Sequence, residues 1–277
     1  MIRSQMRFPE FKEKAVTLSY DDGVAQDKRL IQIMQKNGLK GTFNINGGLL
    51  PKESGWHMST TEALDVYTKS GMEVAVHGYK HLSLANVDSA VAVNDVLQDR
   101  LALESLFGQI IKGMAYANGS YDDNVVNILQ ACGIEYARTV TSTENFELPT
   151  DWLRLNPTCH HNNHKLMELV NAFLAVQPDP LRLQKFTPKL FYLWGHSYEF
   201  DNDKNWQVIE EFAKTIGNRE DIWYATNGEI YAYVKAFDRL RWSADGSLVY
   251  NPSGVDVCIF CNKKNYLVKR GETVKIN

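Results

Sequence analysis

Apolar and polar positions alternate along residues 15–238 in a pattern that predicts strands and helices in regular succession. Short apolar runs predict strands at 15–20, 41–45, 72–76, 110–116, 134–140, 190–195 and 222–225. Apolar residues recurring every three or four positions predict helices at 24–37, from a cap at Thr60 or Thr61 to Gly71, and at 87–107, 122–132, 166–176, 206–216 and 228–237, the last with Asn227 as its cap. Such alternation is typical of parallel strands with helices outside.

The pattern changes after Arg239. Short strand-like runs separated by turn residues follow at 241–243, 248–250, 255–260, 266–268 and 273–276. We therefore expect a main α/β domain over 1–239 and a small antiparallel β appendage over 240–277. So few residues bury little surface alone, so the appendage should pack on the main domain. A separate carbohydrate-binding module is the alternative.

Composition and charge limit the classes of binding partner that we expect. The 277 residues are 44% hydrophobic, enough for one large core, and the formal net charge is -3. Without a long basic run, the chain is not expected to bind nucleic acid or an anionic membrane. No run approaches the roughly 20 apolar residues that cross a bilayer. The first residues lack the apolar segment of a signal peptide, which predicts a cytoplasmic protein as the sequence stands, or a secreted one if a leader was removed.

Side chains with catalytic chemistry follow two of the predicted strands directly. Asp21 and Asp22 follow the strand at 15–20, and His77 and His81 follow the strand at 72–76. One carboxylate with two imidazoles is a common open metal site, and the other carboxylate could then take a proton from a bound water. Each pair alone has an ordinary explanation, a turn or a helix surface. Both lie at carboxyl ends of strands, where ligands collect in parallel folds, and together they indicate a metal-assisted hydrolase.

The same residues carry a resemblance to a known family. The segment 19–23, Ser-Tyr-Asp-Asp-Gly, resembles the T-F-D-D-G motif of the polysaccharide deacetylases, the NodB-homology group or carbohydrate esterase family 4. The segment 77–81, His-Gly-Tyr-Lys-His, is similar to their H-[ST]-x-x-H motif, and 193–196, Leu-Trp-Gly-His, matches L-x-x-H. The motifs stand in the family's order. The resemblance implies an irregular (β/α)7 barrel, and a barrel also suits chemistry that follows many different strands.

The resemblance also implies roles for individual residues. Asp22, His77 and His81 would bind one divalent ion, with Asp21 as the general base that activates a metal-bound water as nucleophile. Zinc is the default for these donors, and cobalt or nickel would fit them too. His196 would protonate the departing nitrogen, because an amide anion is a poor leaving group.

The third motif departs from the family pattern. Met-Ala-Tyr-Ala-Asn-Gly, residues 114–119, stands where R-P-P-Y-G is usual, so Ala115 replaces the Arg that orients the base. Tyr116 or a residue of another loop could take over that role. Backbone N–H groups after Tyr116 could donate to an oxyanion, and Tyr116 and Asn118 are candidate substrate contacts. These substitutions change the surface that the third motif presents to the substrate, which predicts a specificity other than the commonest chitin or peptidoglycan type.

Further candidates lie in other loops. Trp152, after Thr150 and Asp151, could correspond to the fourth motif that lines the acetyl pocket, or it could belong to the core. Trp194 and Glu199 flank His196 and could contact a sugar, with structural roles as the alternative. Three histidines form a cluster that could be a second metal site, a substrate rim or a plain loop: His160, His161 and His164.

Together these features predict a hydrolase that removes N-acetyl, or alternatively O-acetyl, groups from an amino-sugar oligo- or polysaccharide. One alternative is an amidohydrolase of a small cyclic amide, ureide or imide on the same fold, which the missing Arg and the absent leader favour. Another is a non-catalytic carbohydrate-binding protein, which the base Asp21 and the acid His196 disfavour. The expected partner is thus a carbohydrate or a small amide.

Overall fold

A curled sheet of parallel strands lies at the centre of the molecule. The computed structural model describes residues 4–53, 55–177 and 186–277. The strands, numbered in chain order, are β1 (Gln5–Arg7), β2 (Lys14–Asp21), β3 (Gly41–Ile45), β4 (Glu73–Val76), β5 (Gly113–Ala115), β6 (Tyr136–Arg138), β7 (Cys159–His160), β8 (Lys189–Gly195), β9 (Ile222–Tyr224), β10 (Arg241–Trp242), β11 (Leu248–Tyr250), β12 (Val257–Cys261), β13 (Lys264–Val268) and β14 (Thr273–Lys275).

The helices cover the outside of this sheet, as the periodicity predicts. They are α1 (Asp27–Lys36), α2 (Thr60–Ser70), α3 (Ser89–Phe107), α4 (Asp123–Ala131), α5 (Leu166–Ala175), α6 (Glu199–Asn202), α7 (Gln207–Ile216) and α8 (Asn227–Asp238). Within the described ranges, no helix combines the length and the apolar character needed to cross a bilayer.

The sheet is built around β2, whose eight residues are all buried. The strand order is β6-β5-β4-β3-β2-β8-β7, and every described pairing in it is parallel. One edge of β2 pairs with β9 along its first half and with β3 along its second half. A parallel strand covered on both faces is largely apolar, which explains the mostly apolar run before Asp21. Its two buried hydroxyls, Thr17 and Ser19, are hydrogen-bonded to Asn227 and Asn44.

An irregular stretch, residues 152–158, closes the sheet into a barrel, and we call it the closing segment. The N–H of Ala137 donates to the carbonyl of Trp152 at 2.8 Å, and that of Thr139 donates to Leu155 at 2.8 Å, so the first half of the segment pairs with β6. The N–H of Thr158 then donates to Tyr192 at 2.8 Å in β8. One stretch of chain therefore bridges β6 and β8, and the predicted irregular (β/α)7 barrel is confirmed.

Two helix caps differ from the predicted residues. Ser59, rather than Thr60 or Thr61, caps α2, because its extended backbone lets its side chain accept from the N–H of Glu62 in a capping box. In the same way Thr226, rather than Asn227, caps α8.

The predicted β appendage is confirmed as two small antiparallel sheets. Strands β10, β11 and β14 form one, and β12 and β13 form the other together with β1 from the amino-terminal end of the chain. Met6 in β1 is the partner of Ile259 in β12. Buried side chains of the appendage pack with Ala236 of α8 in one apolar cluster. The domain boundary after residue 239 stays a prediction, and the contribution of β1 is a feature that the sequence pattern does not show.

Candidate active site

Three candidate metal ligands converge at the carboxyl ends of β2 and β4. Oδ1 of Asp22 lies 3.5 Å from Nε2 of His77 and 3.5 Å from Nε2 of His81. All three ligand atoms lie within 4.8 Å of one another. Asp22 and His81 adopt positive φ angles of 82° and 55°, which are uncommon for residues other than glycine. Such backbone geometry is typical of loops that hold side chains in place for function.

The state of His77 fits a cation. Its Nδ1 lies 2.9 Å from the carbonyl of Ala115, which places the ring proton on Nδ1 and leaves the Nε2 lone pair free. Nε2 is buried and has no hydrogen-bond partner. Burial is the largest influence on the pKa of His77 and lowers it, so the ring is neutral, as a metal ligand must be. A buried nitrogen lone pair without a hydrogen-bond partner, next to two other potential ligand atoms, is the arrangement expected of a metal centre.

Two carboxylates of α3 hold the loop that carries the histidines. Asp99 accepts from the N–H of Gly47 at 2.5 Å and from the N–H of His77 at 2.9 Å. One helical turn earlier, Asp95 accepts from the N–H of Lys80 at 2.9 Å. Both carboxylates are buried and project from the same face of the helix. They fix the backbone on which His77 and His81 stand.

The candidate base, Asp21, is held by an arginine that lies outside the sequence motifs. Nη2 of Arg138 forms an ion pair with Oδ2 of Asp21, and its Nε donates to Oγ of Ser19 at 3.2 Å. Asn44 donates to the other oxygen of Asp21 at 2.8 Å. Burial raises the pKa of Asp21, but the charges of Arg138 and nearby imidazoles outweigh it and lower the pKa to about 2. Asp21 is therefore ionised and can accept a proton at neutral pH.

Arg138 supplies the guanidinium that is missing at Ala115. Ala115 in β5 and Arg138 in β6 are Cα partners in neighbouring parallel strands. The cation thus comes from one strand further along, at the same level of the barrel. The signal in the sequence is an arginine between small residues in a short buried strand, since such a charge requires a buried anion.

The candidate acid lies on the other side of Asp21. Nε2 of His196 is 3.8 Å from Oδ2 of Asp21, and its Nδ1 is 3.3 Å from Oε1 of Glu199. Burial lowers the pKa of His196, but the hydrogen bond that its ring donates to Glu199 and the charge of Asp21 outweigh burial, so the pKa is raised. A raised pKa keeps a larger fraction of the imidazole protonated, as a general acid requires.

Glu199 contacts three imidazoles. Its Oε2 lies 3.2 Å from Nε2 of His160 and 3.0 Å from Nε2 of His161. His161 is buried and stacks on Phe200 with ring centroids 4.2 Å apart, and burial lowers its pKa to about 4. Glu199 is thus placed to orient the acid. The third histidine of the cluster, His164, is exposed.

The remaining residues predicted to contact substrate differ in how deeply they are buried. Trp194 packs under the guanidinium of Arg138, 4.3 Å from ring centroid to Cζ. The ring of Tyr116 is buried and its hydroxyl donates to the carbonyl of Leu153 at 2.7 Å, whereas exposed Asn118 donates to Oγ of Ser83 at 3.0 Å.

Trp152 is not brought together with these residues. It is buried in a separate apolar cluster with Tyr136 and Leu190, which stand at the amino ends of β6 and β8. Its ring packs edge-on against Tyr231 of α8 at 5.1 Å. The position is one of barrel packing, which was the alternative interpretation of the sequence.

The fold is an irregular (β/α)7 barrel, and comparison with known proteins agrees. Residues 9–137 match the family model described as "Polysaccharide deacetylase". A chitin deacetylase from Pestalotiopsis sp is 29% identical over 94 residues, which are 34% of this chain and 30% of that protein. The chain thus matches less than a third of the length of this curated relative.

Solved structures support the same fold. The candidate polysaccharide deacetylase from Mycobacterium smegmatis is similar with a TM-score of 0.61 at 18% identity, covering 86% of this chain and 96% of the other. The family 4 carbohydrate esterase from Streptomyces lividans, in complex with acetate, is similar with a TM-score of 0.53 at 15% identity, covering 77% and 93%. Residues 9–137 therefore match the polysaccharide deacetylase family, and the resemblance that the motifs indicate is confirmed.

Proposed function

We propose that the protein is a metal-dependent hydrolase that removes N-acetyl groups from an amino-sugar oligo- or polysaccharide. The observation that carries this proposal is the convergence of Asp22, His77 and His81 beside a separate, ionised carboxylate, Asp21. The match of residues 9–137 to the polysaccharide deacetylase family supports a deacetylase-type hydrolase, and the amino sugar and the metal are our inference.

The donor set suits a divalent ion. Two imidazoles and one carboxylate are typical zinc ligands, and cobalt or nickel accept the same set. A divalent ion held there would supply a Lewis acid that lowers the pKa of water and polarises the acetyl carbonyl. Asp22, His77 and His81 are the residues that would hold it.

The residues around this site divide the proton transfers between them. Asp21 accepts the proton of the attacking water, since Arg138 and Asn44 orient it and the charge of Arg138 keeps it ionised. His196 donates a proton to the amide nitrogen as the C–N bond breaks, and Glu199 holds its ring. General acid–base help of this kind contributes roughly 10²–10⁴-fold to a rate.

The arrangement weakens the two alternatives. The missing Arg of the third motif favoured a small cyclic amide as substrate, but Arg138 supplies the guanidinium from the next strand. A protein that only binds sugars needs neither an ionised base nor a polarised imidazole.

Acetate release tests the proposal. Purified protein is incubated with N-acetylated amino sugars, from which acetate release is measured, before and after treatment with a chelator and after addition of zinc, cobalt or nickel. Cyclic amides are tested in parallel by measuring ring opening, because their hydrolysis releases no acetate. We expect acetate from the sugars, its loss with chelator and its return with metal. Chelator-resistant activity would contradict the metal assignment, and turnover of cyclic amides alone would contradict the substrate assignment.

A further inference from the structure

One tryptophan of the chain projects into solvent beside the candidate site. Trp56 is 52% exposed, whereas the other five tryptophans are buried or half-buried. It lies in the loop between β3 and α2, which follows a strand of the catalytic edge of the barrel. A large exposed aromatic ring next to a functional site commonly marks a binding surface.

The loop that carries Trp56 is tied to the loop that carries Asp22. The N–H of Ala25 donates to the carbonyl of Trp56 at 3.1 Å, and the N–H of Met58 donates to Gly23 at 3.2 Å. Nδ1 of His57 lies 3.0 Å from the carbonyl of Asp22 itself. These contacts fix the backbone of Trp56 with respect to the candidate metal ligand, so the ring is placed in advance and little ordering is needed on binding.

Two neighbouring rings set the orientation of the indole. His57 packs edge-on against it at a centroid distance of 4.5 Å, and Tyr198 lies 5.2 Å away on another side. Tyr198 is in turn 5.3 Å from the ring of His196. A row of rings therefore leads from the candidate acid outwards to Trp56, and we call its outer pair, Trp56 and Tyr198, the aromatic platform.

We propose that the aromatic platform binds the pyranose ring next to the one that loses its acetyl group. This inference rests on the function proposed above. A sugar ring offers C–H groups to an aromatic face while its hydroxyls stay in water, and a rigid aromatic side chain provides such contact area at little entropic cost. The platform is continuous with the acid through Tyr198, so a chain of at least two sugars can occupy both places. A monosaccharide or a small cyclic amide is too short to do so.

Kinetics with substrates of increasing length test the platform. Trp56→Ala and Trp56→Phe are compared with wild type on the N-acetylated amino sugar from which acetate is released, its disaccharide and its longer oligosaccharides. Ile110→Ala is the matched control, because Ile110 is 75% exposed and precedes β5, at the opposite end of the barrel. In wild type we expect kcat/KM to rise from one sugar to two. Trp56→Ala should lose about tenfold on the disaccharide and longer chains, and less on the monosaccharide. Trp56→Phe should keep most of the rate, and Ile110→Ala all of it.

A binding measurement does not depend on turnover. In an Asp21→Asn background, an oligosaccharide of the same N-acetylated amino sugar should change the intrinsic tryptophan fluorescence, and the change should be lost when Trp56→Phe is added. Equal kcat/KM of wild type on one sugar and on longer chains would overturn the platform while leaving the deacetylase function intact. An unchanged rate of Trp56→Ala on long chains would do the same. Activity confined to cyclic amides would overturn the proposed function and the platform with it.

Discussion

Replacement of Arg138 is the sharpest test of how the candidate base is held. Arg138→Met keeps much of the side-chain volume beside Trp194 but removes the guanidinium from Asp21. The pKa of Asp21 is lowered from 3.8 to about 2, a shift that corresponds to about 2 kcal/mol of stability. Because this pKa is lowered by folding, the contribution is present above about pH 4 and is lost as the pH falls towards 2. Breaking a buried pair on one side typically costs about 3–5 kcal/mol, since a charge is left uncompensated.

The variant should therefore reverse the sign of the pH dependence. Without the guanidinium, burial becomes the dominant influence on Asp21 and raises its pKa, so Arg138→Met should lose stability as the pH rises from about 4 to 7. The rate constant kcat should fall by about 10²–10⁴-fold at neutral pH, because the base is misoriented and partly protonated. Denaturant unfolding at several pH values and acetate release measure the two effects.

Two further variants separate charge from structure. Arg154→Met removes a half-exposed arginine that pairs with Asp151 and Asp123, and it should change stability by about 1 kcal/mol or less. Ala115→Arg combined with Arg138→Met should recover part of kcat, because the two positions are register partners. If Arg138→Met kept wild-type kcat and lost stability equally at all pH values, the reasoning about Asp21 would be refuted.

Two other predictions concern the residues that hold the acid and the metal ligands. Glu199→Gln should lower the pKa of His196, so the fall of kcat/KM at high pH should begin at a lower pH; an unmoved pH profile would argue against His196 as the acid. Asp99→Ala should weaken zinc binding by about ten- to hundredfold in a chelator competition, because the N–H groups of Gly47 and His77 lose their shared acceptor. The surface variant Asp65→Ala is its control and should bind zinc as wild type does.

The parts of this protein that the sequence predicts are those encoded locally. The run 15–20 is mostly apolar because both faces of β2 are covered, and Asp21 and Asp22 follow it directly. His77 and His81 follow β4 in the same way. Since carboxyl ends of parallel strands meet at one edge of a barrel, two local motifs are enough to predict that these side chains converge.

The parts that the sequence does not predict depend on which strands become neighbours. Arg138 reaches Asp21 only because β6 lies beside β5 at a register that places Arg138 next to Ala115. Trp56 is a binding candidate only because its loop pairs with the turn after Asp22. Trp152 follows an Asp, as in the fourth motif, yet the closing segment turns its ring towards Tyr231 in the core. In each case tertiary register, not local pattern, decides the environment of the side chain.

The position of Arg138 also couples the two halves of the site. Its guanidinium lies between the carboxylate of Asp21 and the indole of Trp194. Trp194 meets the ring of His160 edge-on at 4.5 Å, and His160 contacts the same Glu199 that orients His196. An arginine at position 115 would project from β5, whereas Arg138 projects from β6. The closing segment joins β6 to β8, and β8 leads directly into His196. Loss of Arg138 should therefore disturb the acid as well as the base, and both limbs of the pH–rate profile of Arg138→Met should move.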